Sequence, residues 1–66
     1  MTPKRPEIIV TLTGQDGNAF AILGRCRAAA RDAGLSEEEV AAFMDEAMAG
    51  DYDHLLHTAM RWFEIR

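Results

Sequence analysis

The chain is short of everything that staples a protein or carries it through a membrane. Cys26 is the only cysteine in 66 residues, so no internal disulfide can form. Aromatics are few, with three Phe, one Tyr and one Trp. No apolar run approaches the roughly 18 residues of a membrane span. The opening Met1-Thr2-Pro3-Lys4-Arg5-Pro6-Glu7 is basic but has no apolar segment behind it, so it does not read as a secretory signal. A lone thiol without such a signal points to a reducing, cytoplasmic setting. Basic charge is also scarce. The net charge is −4, where a duplex-binding domain normally carries a basic stripe and the opposite sign. Nucleic acid and membrane are therefore poor candidates for partners.

What is present suits one small folded domain. Hydrophobic residues make up 48% and charged residues 27%, an ordinary globular balance. A core of this size rarely supplies more than about 3–5 kcal/mol. It leaves little room for a deep pocket with a supporting shell, so an enzyme is not expected. The charge is uneven. Residues 1–33 carry five basic and three acidic side chains, net +2, and residues 34–66 carry two and eight, net −6.

Residues 1–6 hold both prolines and read as a flexible tail ahead of a single domain over 7–66. Glu7 to Thr13 is rich in β-branched residues, with Ile8, Val10 and Leu12 alternating with Ile9, Thr11 and Thr13, and predicts a strand. Gly14-Gln15-Asp16-Gly17-Asn18 ends it. Ala19 to Ala33 predicts a helix. Ala19, Ile22, Leu23, Cys26, Ala30 and Ala33 share a face with Phe20 beside them, Asn18 or Asp16 caps the start, and Gly34 fits the C′ position. Gly24, inside this helix, suggests close approach of another backbone.

Ser36-Glu37-Glu38-Glu39 is a capping box, with Leu35 and Val40 at the hydrophobic-staple positions. It opens a second helix that runs to about Ala49 on a stripe of Val40, Phe43, Met44, Ala47 and Met48. Gly50 closes it, and Asp51 caps a third helix on Tyr52, Leu55, Leu56, Ala59 and Met60. Arg61 to Ile65 reads as a strand, because the first strand needs a partner for its backbone groups. A longer third helix is the alternative. The expected architecture is α+β, β-α-α-α-β, two short strands packed on three helices.

Asp16-Gly17-Asn18-Ala19-Phe20-Ala21-Ile22-Leu23-Gly24 and Gly50-Asp51-Tyr52-Asp53-His54-Leu55-Leu56 resemble runs in an uncharacterised family of small phage, prophage and bacterial proteins. The resemblance spans most of residues 8–65. It implies a mobile-element setting, in which small proteins often act on a host system. It implies no activity and no functional residues.

Three constellations have chemical meaning. The glycine-bearing 14–18 loop opens a helix, where free N–H groups and the helix dipole favour anions. Gly14, Asp16, Gly17 and Asn18, with Arg25 and Arg27 on the helix, make a candidate site for an anionic small ligand such as a nucleotide signal. The P-loop pattern is missing, however, and a turn plus cap explains the same residues. Arg27 and Arg31 are neighbours four apart, suited to an anion, to the acidic second helix, or to solvent. Asp53, His54 and His57 have metal-ligand character, against a plainer reading in which Asp51 caps and the histidines lie on the surface. No cofactor is implied.

Met44, Met48, Met60, Trp62 and Phe63 read as core at helical spacing, except that a terminal strand would send Trp62 and Phe63 to opposite sides. One of them would then join Ile9 at an interface. The expectation is a small non-enzymatic interaction protein. It would act by binding a host protein or by self-association as a homodimer or small even oligomer, with Trp62 near the interface.

Overall fold

The structure is a computed structural model, and it describes residues 2–15 and 17–66. Its elements are β1 (Arg5–Val10), α1 (Ala19–Asp32), α2 (Glu37–Ala47), α3 (Tyr52–Trp62) and β2 (Phe63–Ile65). The two strands pair in parallel, in the register Arg5↔Phe63, Ile9↔Glu64 and Val10↔Ile65, with an irregularity between Arg5 and Ile9. The three helices form the crossover that a parallel pair requires. Ile8 and Val10 point into the core, and Ile9, between them, stands half-exposed.

Each helix start follows its local sequence. Asn18 caps α1 by accepting the Phe20 N–H at 2.8 Å. Ser36 caps α2 by accepting the Glu39 N–H at 3.1 Å, and Asp51 caps α3 by accepting the His54 N–H at 2.9 Å. The Glu39 carboxylate answers the cap, with the Ser36 hydroxyl 3.4 Å away, and also meets the Arg5 guanidinium, tying α2 to the start of β1. α1 closes on Gly34, whose φ of +89° only glycine adopts without strain. Gly50 answers a different demand. A Cβ there would lie 2.8 Å from the His54 Cβ, because the His54 side chain packs on the turn and its Nε2 sits 2.8 Å from the Glu46 carbonyl oxygen.

Several expectations are corrected. β1 begins at Arg5 and stops at Val10, so it takes in two residues assigned to the tail and gives up Thr11 to Thr13. The reason lies in its partner: β2 offers only three residues, after which the Leu12 and Thr13 N–H groups both turn to the Arg66 carbonyl. Arg61 and Trp62, read as strand, finish α3. That moves the joint between helix and strand to Phe63 and removes the forced choice between two aromatic rings. Strand alternation does not apply across a helix end, so Trp62 (7% exposed) and Phe63 (1% exposed) are both buried. They meet Phe43 of α2 at ring-centroid distances of 5.6 and 4.9 Å. The Trp62 Nε1–H donates to the Glu46 carboxylate, and the Lys4 Nζ lies 4.4 Å from the indole centroid. Trp62 is thus part of the buried core. Among the described residues, Gly24 has no neighbour within 4 Å of where a Cβ would stand, so none of them makes the close approach expected there. Phe20, Met48, Tyr52 and Met60, expected on or beside the core stripes, are exposed.

Candidate functional site

Three of the exposed large apolar residues gather in one place, while Ile9 and Met60 lie elsewhere. Phe20 at the start of α1, Met48 just past α2 and Tyr52 at the start of α3 line one groove of about 310 Å³, floored by Leu23, Ala47 and Leu55. Phe20 is 81% exposed, Met48 55% and Tyr52 44%. Helical geometry explains Phe20. It stands about 60° from Leu23 and 100° from Ala19, beyond the arc of Ile22, Leu23, Cys26 and Ala30 that α1 buries. Met48 lies where α2 has ended and the chain turns toward Gly50. The Tyr52 hydroxyl donates to the Gly17 carbonyl at 2.6 Å, fixing the ring against the loop before α1. The groove wall is therefore braced by a bond between residues 35 apart in sequence.

Charge is divided along α1. Beside the groove stand the acidic Asp51 and Asp53, both exposed. Toward the other end, Arg27 and Arg31 extend the stripe that begins with Phe20 and Gly24. Among the described residues, neither arginine has an acidic partner. The acidic second helix pairs instead with arginines outside α1. Arg5 meets Glu39, and Arg61 lies 3.9 Å from Glu46.

The residues proposed for an anion are only partly brought together. Arg25 reaches the loop, donating to the Gln15 side chain. Arg27, two residues on, lies about 200° around the helix, on the opposite flank. Asn18 already takes the Phe20 N–H. Gly14, at φ +77°, makes the turn that a side chain would strain. Asp16 lies outside the described residues. Among those residues, no three His, Cys, Asp or Glu side chains converge as metal ligands. Of the trio Asp53, His54 and His57, the His54 ring is engaged with α2, and His57 lines a separate cavity of about 390 Å³ with Thr2, Met60 and Arg61. That cavity is larger than the groove, and among the described residues its lining brings no carboxylate or thiol to His57. Cys26 is fully buried, and burial pushes its thiol up to about 11, away from the thiolate a nucleophile needs. Ile9 lines a cleft of about 240 Å³ between β1 and α1, with Arg25, Ala28 and Ala29 among its neighbours.

The Phe20 groove was missed in the sequence because its three members come from three separate segments, the start of α1, the turn after α2 and the start of α3. The signal available was angular: Phe20 falls outside the α1 stripe. Among the described residues, no helix is long and apolar enough to cross a membrane. Set against protein-family models, curated proteins and solved structures, the chain matches none.

Proposed function

We propose that this protein works by binding another protein chain, without catalysis, through the Phe20–Met48–Tyr52 face. The observation that carries the reading is Phe20, a ring 81% exposed at the lip of an apolar groove, in a domain that buries its other two phenylalanines and its tryptophan in one cluster. Contiguous apolar surface rimmed by polar groups marks interaction sites, and aromatic and Met side chains are enriched in them. The Tyr52–Gly17 hydrogen bond holds the face in shape before a partner arrives, which lowers the ordering cost of binding. The likeness of the Asp16–Gly24 run to small phage and prophage proteins supports a host protein as one class of partner. The anionic-ligand reading draws less support, because Asn18 already takes the Phe20 N–H and Arg27 stands on the flank of α1 opposite Arg25.

The test is a photo-crosslinking amino acid placed at position 20 and, as a control, at exposed Glu38. The reading expects discrete protein adducts from position 20 on illumination in a producing cell, and none of matching mass from position 38. Illumination that leaves position 20 without a protein adduct overturns it.

A further inference from the structure

α1 carries a stripe that the chain itself does not use. Phe20, Gly24, Arg27 and Arg31 follow one another at three- and four-residue spacing on the flank beside the groove. Gly24 is a poor helix residue, and among the described residues no neighbour lies within 4 Å of where its Cβ would stand, so none of them accounts for it. Around it lies a shallow hollow of about 300 Å³ lined by Gly24, Arg27, Ala28, Arg31 and Asp32. Phe20, the most exposed large apolar side chain among the described residues, lies one turn away along the same stripe. Protruding ring and hollow are thus offset by about 6 Å along one helix.

We infer that the partner of this face is a second copy of the chain, packed through α1 against α1 about a two-fold axis at Gly24. The inference rests on the reading of the Phe20 face as a recognition surface and names its occupant. An antiparallel pair centred on residue 24 sets residue 20 of one copy against residue 28 of the other. Each Phe20 ring then enters the other copy's hollow over Gly24 and Ala28, between Arg27 and Arg31. Both guanidinium groups are free to lie against the ring face, an arrangement electrostatics favours. The charges also fit. The same symmetry carries Arg31, unpaired among the described residues, to the end of the partner where Asp51 and Asp53 stand, and sets the helix dipoles antiparallel. A two-fold interface needs one surface that complements itself, and a knob and a hole on either side of a glycine satisfy that condition.

Sedimentation equilibrium over micromolar to submillimolar concentration tests the inference on the full chain, with unfolding melts run alongside. The wild type is expected to reach twice its 7.3 kDa mass. Gly24→Leu is expected to melt no lower in dilute solution, since leucine favours helix, while weakening the dimer by roughly tenfold or more through blocked approach. Phe20→Ser is expected to do the same, and Arg31→Glu to weaken the dimer with a smaller effect at high salt. Ile9→Ser, on the β1–α1 cleft, is expected to leave the dimer intact. A wild type that stays monomeric throughout, or a dimer that survives both Gly24→Leu and Phe20→Ser, overturns the inference. A crosslink from position 20 to a different protein would overturn it while leaving the proposed function standing; the absence of any crosslink would remove both.

Discussion

The two ends of α3 are built from similar side chains and meet opposite fates. At its C-terminal end, Trp62 and Phe63 close on Phe43, and every ring is buried. At its N-terminal end, Tyr52 meets Phe20 and Met48 over a groove open to solvent. The difference comes from what lies across from each group. The C-terminal end faces the core stripe of α2 and the strand pair, and its one polar atom, the indole N–H, is satisfied by Glu46. The N-terminal end is where three elements start or stop, and a domain of this size has no further layer to cover it. An aromatic cluster is thus core or contact surface according to the elements left to pack on it, and composition alone does not decide.

The comparison breaks most sharply at Phe43. Phe43→Ala removes the centre of the buried cluster, and the expected loss is about 3–5 kcal/mol. That is comparable with the whole stability of so small a domain. Circular dichroism should show a largely unfolded chain at 37 °C, whereas a cooperative melt near the wild-type midpoint would mean that the buried cluster is not what holds the fold. Ser36→Ala is a smaller lesion, away from both clusters. Losing the cap bond to the Glu39 N–H should cost about 1 kcal/mol and lower the midpoint by several degrees, as measured by thermal denaturation.

Acid probes the Arg5–Glu39 tie. The Arg5 guanidinium hydrogen-bonded to Glu39 holds this carboxylate below its ordinary 4.5. A depressed native value means that the contribution is fully present above 4.5 and drains away as the pH falls below it. Urea midpoints measured from pH 6 down to 3 should therefore fall, and Glu39→Gln should flatten part of that decline. An identical acid profile in the variant would show that the pair adds nothing. The smallest effect is expected at Phe20. Phe20→Ser in dilute solution should move the melting midpoint by little, since surface substitutions away from special features usually stay within about 0.5 kcal/mol. A loss as large as that of a core residue would place the ring inside the fold.

Much of this architecture was legible in the sequence, because local rules set it. Asn18, Ser36 and Asp51 each open the helix that their position announces, Gly34 closes α1, and the alternation of Ile8, Ile9 and Val10 gives the buried and exposed sides of β1. What was not legible depends on pairing between distant segments. The shift of β1 toward Arg5 follows from a three-residue partner strand and from the Lys4 N–H bonded to the Arg61 carbonyl at 2.9 Å. The helical state of Arg61 and Trp62 follows from that same joint. The candidate site was the least legible part. Arg25 and Arg27 look like one cluster in sequence and stand on opposite flanks of a helix, while Phe20 and Tyr52, far apart in sequence, share a groove wall.

The claim that the Phe20 face pairs two copies of the chain while the Trp62 corner only holds the fold can be read in one solution experiment. Backbone and indole ¹H–¹⁵N spectra of the wild-type chain would be recorded across a dilution series from submillimolar to low micromolar concentration. The account predicts concentration-dependent shifts at Phe20, Gly24, Arg27, Arg31 and Tyr52, with the Trp62 indole N–H and the Phe43 amide fixed. Shifts that centre on the Trp62 indole, or a spectrum unchanged across the whole series, would contradict it.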